Sequence, residues 1–172
     1  MMIRSSLVFA LALLALALGG SSVGFAQSRD ALGRFKDWDA YKTTVGGQIA
    51  CFAVSKPKDM LPKGVNRDPV FFLISTWPGR SVSNEPSIQT GYTYREGSSA
   101  TVTVAGQSFD FFTKDDGAWL ASTAEEKKLL AALRKGSTMT AKGTSSRGTI
   151  TTDRYSLAGI SAALDKVAEA CK

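Results

Sequence analysis

Residues 100–112 read ATVTVAGQSFDFF, and their reading decides the fold class. Val and Phe alternate with Thr, Ser and Asp on both sides of a glycine, a period of two that suits half-buried strands and not a helix. A two-residue turn at Gly106 and Gln107, with glycine at its first central position, joins the halves into a hairpin. That turn pairs Val104 with Phe109 and Val102 with Phe111 on one face, and Thr103 with Asp110 on the other. A turn one residue earlier opposes Val104 to Gln107 and gives up that arrangement, so the Gly-Gln turn is expected.

On the C-terminal side, Ser122 or Thr123 caps a helix, with Glu125 or Glu126 completing a capping box. Leu129, Leu130 and Leu133 form its apolar stripe, Arg134 and Lys135 suit the negative end of its dipole, and Gly136 stops it. Threonine-rich strands at Thr138–Ala141 and Thr149–Tyr155 flank a turn from Gly143 to Gly148. A second helix starts near Gly159, where Ile160, Leu164, Val167 and Cys171 follow one helical face.

On the N-terminal side, Phe35–Tyr41 and Ile49–Val54 read as strands around a turn at Gly46 and Gly47. Residues 56–69 hold three prolines and are expected to form an exposed loop without regular structure. The apolar run Val70–Ile74 suits a strand buried on both faces, ended by Pro78 and Gly79. Strand character resumes at Ile88–Tyr94 after a break at Asn84, Glu85 and Pro86. Trp38, Trp77 and Trp119 are expected as core anchors. The class is therefore mainly β (α+β): an antiparallel sandwich or barrel-like domain over residues 27–172, with two helices, one C-terminal.

Residues 1–26 read as a signal peptide. Arg4 precedes an apolar run from Leu7 to Leu18, too short for a bilayer span of about 20 residues. Gly24 and Ala26 then supply small residues for cleavage before Gln27. No Cys follows that site to carry a lipid, and no later segment resembles a membrane span. The expected location is the periplasm or outside the cell.

The chain carries 21 Lys and Arg against 15 Asp and Glu, a net charge of +6. The cations are dispersed, which argues against a nucleic-acid-binding arm. The two cysteines, Cys51 and Cys171, form an even pair in an exported chain, so one disulfide is expected. Histidine is absent, which removes Ser-His-Asp and Cys-His catalysis and every histidine metal site.

Few residues suggest chemistry. Ser55 and Lys58 match S-x-x-K, but Pro57 sits inside the required turn and Lys142, Gly143 and Thr144 invert the partner motif. Asp37 with Asp39, Asp115 with Asp116, and Glu125 with Glu126 could be paired for glycoside chemistry. Strand, turn and capping roles account for them, and no catalytic, cofactor-binding or metal residue is assigned. Lys142, Arg147 and Thr149, among the hydroxyls of residues 144–152, outline an anion- or partner-binding rim, although an ordinary threonine-rich hairpin explains them as well.

Several blocks give the chain a wider likeness: DWDAY (37–41), CFAVSKPKD (51–59), RDPVFFLIST (67–76), NEPSIQTGY (84–92), GAWL (117–120), and, within 132–164, GTSSRGTITTD and YSLAGISAAL. With the closing Glu169, Ala170 and Cys171, the chain resembles the invasion-associated locus B proteins of alphaproteobacteria. Arg154 departs from the pattern, where a smaller residue is expected. The resemblance implies an exported protein linked, in pathogenic members, to host-cell attachment or entry, and supplies no enzyme chemistry. It carries over the cysteine pair alone. The expectation is a monomeric, cofactor-free binding protein for an unknown protein or surface component of the envelope or host cell. The alternative is a histidine-free hydrolase or glycan-processing enzyme of the envelope.

Overall fold

The computed structural model describes residues 29–172; the signal-peptide reading lies outside them. Eleven strands form one antiparallel sheet: β1 (Arg29–Phe35), β2 (Trp38–Val45), β3 (Gln48–Ser55), β4 (Asp59–Leu61), β5 (Phe71–Trp77), β6 (Val82–Gln89), β7 (Ser99–Val104), β8 (Gln107–Lys114), β9 (Gly117–Trp119), β10 (Thr138–Thr144) and β11 (Ile150–Ser156). Their spatial order is β1-β2-β3-β5-β6-β9-β8-β7-β10-β11-β4. Helix α1 is Thr123–Lys135 and helix α2 is Ile160–Ala170.

The expected antiparallel, β-rich fold with two helices is what the structure shows. The sheet is curled and open. β5 and β11 stand six positions apart in the order, about 29 Å on a flat sheet at 4.8 Å per strand. Yet the rings of Phe72 and Tyr155, one from each strand, lie 6.0 Å apart. The sheet therefore wraps one core around Trp38, Phe72, Ile74, Phe111, Leu133 and Tyr155. Its two ends meet without a ladder: Asp37 N–H donates to Ala158 O, and Trp38 Nε1–H to Ser156 O.

Helix α2 covers the inner side of β1, β2 and β3. Ala40, Cys51 and Ala53 are fully buried there; their small side chains let the helix approach. Ile160, Ala163, Leu164 and Val167 face them. Gly159 begins this helix at φ +95, and a Cβ there would fall 1.8 Å from Phe35 O, so no other residue fits. The Cys51–Cys171 disulfide forms as expected, with Cα atoms 6.0 Å apart, across 120 residues. Lys42 Nζ donates to Ala170 O at 3.3 Å, a cation on the negative helix end. In α1, Ser122 accepts from Glu125 N as the capping pattern predicts.

Five local expectations are corrected. The 100–112 hairpin turns at Ala105-Gly106, one residue earlier than expected: Val104 faces Gln107, Val102 faces Phe109 and Ala100 faces Phe111. Both turn residues have positive φ, 51° and 78°, a combination whose twist matches that of the flanking strands. Moving the turn by one residue moves each partner by two, so the apolar face survives. Phe35–Tyr41 is not one strand, since Lys36 at φ 55 and Asp37 turn β1 into β2. The proline-rich loop yields one regular piece, β4, paired with β11. Val70–Ile74 is not buried on both faces, because β5 alternates strictly. Pro86 lies inside β6, not at a break, and sits one residue past the β9 ladder of Ser87–Gln89, where an absent N–H is tolerated.

Candidate functional site

Alternation along β2, β3 and β5 splits their apolar residues into two sets. Ala40, Cys51, Ala53, Phe72 and Ile74 point into the core, whereas Tyr41, Phe52, Val54, Phe71 and Leu73 are half-buried on the opposite face. Registers Tyr41 to Phe52 and Val54 to Leu73 set this second set side by side, and the Tyr41 and Phe52 rings lie 5.5 Å apart. They floor an open groove of about 680 Å³.

The rim is charged. Arg29, Arg34, Lys36, Lys56 and Lys58 line it, with only Asp37 and Asp39 against them. Asp39 accepts both arms of Arg34, at 2.6 and 3.0 Å. Asp37 is paired with Lys58; that bond, with help from Ser156, holds its carboxyl below the usual carboxylate range. Among the described residues Arg29, Lys36 and Lys56 have no carboxylate partner. The Lys56 ammonium instead lies 5.7 Å from the Phe71 ring centre, a cation–π contact.

The groove also gathers the residues weighed for catalysis, but their geometry does not join them. Ser55 is buried, and its hydroxyl donates to Asp37 O at 2.8 Å. Lys58 is bound to the Asp37 carboxylate, and no hydrogen bond links it to Ser55. A glycosidase acid needs a raised pKa, whereas Asp37 is shifted down.

The predicted rim at Lys142, Arg147 and Thr149 is dispersed. Lys142 is exposed on β10, opposite Thr101 and Thr152. Thr149 closes the β10–β11 turn, with its N–H on Ser145 Oγ. Only Arg147 reaches a hollow of about 300 Å³, beside Asn66, Arg67, Asp68 and Ser146. Beneath it lies a cluster that sequence reasoning missed. Arg67 donates to both Asp153 oxygens at 2.7 Å and twice to Thr90 O, and its guanidinium stacks 5.0 Å from Tyr92. Its side chain is 5% exposed and that of Asp153 2%. Burial opposes the charge on Arg67, and Asp153 more than restores it. This cation is already neutralised and holds the loop after β4 to β11.

Trp38 is a core anchor as expected, but Trp77 and Trp119 are not. Trp77 is half-buried under Arg80 at 4.6 Å. Trp119 lies over Gly117, where a Cβ would come 2.2 Å from the indole, and against Phe112 at 5.9 Å. Across β5, β6, β9 and β8 the register runs Leu73, Ser87, Trp119, Phe112, so the apolar band continues beyond the groove.

The family model described as Invasion associated locus B (IalB) protein matches residues 43–168. The chain belongs to this family. The IalB match contains Cys51 and most of the groove floor, and Cys171 stands just past its end. No curated protein and no solved structure matches this IalB chain. Arg154, the departure noted in the sequence, is exposed and faces Asp59 across the β11–β4 ladder, where a long cation meets an acid. Among the described residues no helix is long and apolar enough to cross a membrane, and the disulfide fits an oxidising compartment.

Proposed function

We propose that this IalB protein is a non-enzymatic binding protein of the cell envelope, periplasmic or secreted after loss of residues 1–26. It acts as a monomer and engages a protein or surface component of the envelope or host through the outer groove of β1, β2, β3 and β5. The observation that carries the reading is the floor of Tyr41, Phe52, Val54, Phe71 and Leu73, apolar area that the core does not use, ringed by cations in excess. Isolated exposed apolar side chains need no explanation, but a contiguous patch with a polar rim is the usual mark of a contact surface.

The test is capture from envelope and host-cell extracts by the mature protein, compared with a Phe52→Ser/Leu73→Ser variant of equal stability. Loss of captured partners in the variant supports the groove. Equal capture by both, or none by either across salt conditions, removes the proposal.

A hydrolase remains the second reading, because Asp37, Asp39, Ser55 and Lys58 share one groove. Hydrolysis of fluorogenic ester, peptide or glycoside substrates that disappears in Asp37→Asn or Asp39→Asn would replace binding with catalysis.

A further inference from the structure

We infer that the groove takes an acidic polypeptide segment carrying apolar side chains, an inference that rests on the binding role proposed above. Two features of the site combine to specify this chemistry. The first is charge. Both acids of the rim are engaged by Arg34 and Lys58, leaving Arg29, Lys36 and Lys56 without carboxylate partners among the described residues. An anionic occupant supplies what they lack.

The charge is also polarised. The β1–β2 turn holds Lys36, and Asp39 opposite Val54 brings the end of β3 to the same end of the sheet. Lys56 and Lys58 follow directly. Of the unpartnered cations, Lys36 and Lys56 therefore stand at one end of the strands beside the Lys58–Asp37 pair, while Tyr41 and Phe52 form the floor towards the other, where Arg29 lies opposite Thr43. The occupant carries its acids over the lysine end and its apolar side chains over Tyr41, Phe52 and Leu73.

The second feature is shape. The floor residues are half-buried behind a rim of charged side chains, an arrangement that suits a narrow extended chain better than a flat anionic bilayer. From the rim on β1 to the floor on β5 the groove spans three strand spacings, about 14 Å, or roughly four residues of extended chain at 3.3 Å each. That is the scale of a short linear motif.

The experiment uses the disulfide-bonded mature protein and fluorescence anisotropy. The probes are a labelled peptide mixing Glu and Phe, a Glu/Gly peptide, a Gln/Phe peptide, vesicles of anionic phospholipid, and a sulfated glycan. The Glu/Phe peptide is expected to bind best. Its affinity falls about tenfold or more in Lys36→Glu/Lys56→Glu at low salt, and similarly in Leu73→Ser at any salt. Equal binding of the Glu/Gly peptide, or stronger binding of vesicles or glycan through the same residues, overturns the inference. If no peptide binds but the Phe52→Ser/Leu73→Ser change still abolishes capture from extracts, the acidic-peptide assignment fails and the binding role stands. If capture also fails, both fall.

Discussion

Replacing Arg67 by Met removes the most buried charge–charge contact in the structure and tests whether it is structural. In the folded protein this guanidinium makes four hydrogen bonds, two to Asp153 and two to Thr90 O. Methionine fills similar volume but donates nothing. Asp153, 2% exposed at its side chain, then holds a carboxylate with no cation, and the Thr90 carbonyl loses two donors. Breaking a buried pair from one side costs about 3–5 kcal/mol, a large share of a domain's 5–15 kcal/mol. Urea unfolding followed by tryptophan fluorescence reads the loss as a lower midpoint at constant slope. Asp153→Asn in the same background should recover part of it, since the double variant no longer buries an unpaired charge, giving a coupling of about 1–3 kcal/mol. Hydrogen exchange in residues 62–69 should rise, because Arg67 anchors that loop to β11. A loss under about 1 kcal/mol, or strictly additive variants, would refute the argument that this charge is held by its partner.

Three further outcomes can be measured. Cys171→Ser, or reduction of the wild type, should lower stability by about 2–4 kcal/mol, against roughly 5 from the chain-entropy model for so long a loop; two alkylatable thiols in protein purified without reductant would contradict it. Ala105→Gly should raise stability by about 0.4–1 kcal/mol, because Ala105 sits at φ 51 and Gly removes that strain; a loss of stability would instead favour the Gly106-Gln107 turn. The folded-state pKa of Asp37 lies below its ordinary 3.8, so the unfolded chain binds its proton more readily. The contribution of Asp37 is then full above 3.8 and disappears as pH falls through the folded value; Asp37→Asn should flatten the acid limb of stability, and an unchanged limb would show the Lys58 bond to be idle.

The parts of this fold that were legible in the sequence are those where one local rule acts alone. The α1 boundaries followed from Ser122 and Gly136, the α2 stripe from the spacing of Ile160, Leu164, Val167 and Cys171, and the disulfide from an even cysteine pair. The hairpin was read correctly in its faces but not in its turn. Side-chain period fixes parity, and parity cannot separate two turns whose partners differ by two residues. There the backbone twist decided, in favour of positive φ at both Ala105 and Gly106. Arg67 and Asp153 stand at the ends of two blocks that carry the family likeness, RDPVFFLIST and GTSSRGTITTD, but with 86 residues between them no local rule joins the two.

The groove did leave a trace, and it was read as something else. Residues 70–74, VFFLI, looked like a strand buried on both faces because they are apolar throughout. The structure buries Phe72 and Ile74 and leaves Phe71 and Leu73 half-exposed on the groove side. A sheet face open to water ordinarily alternates into polar residues at such positions. Tyr41, Phe52 and Val54 break that rule on neighbouring strands in the same way. Apolar side chains on the outer faces of three adjacent strands cost solubility without adding to the core. An occupant that covers them accounts for their presence, and the surplus of cations around them sets the sign of its charge.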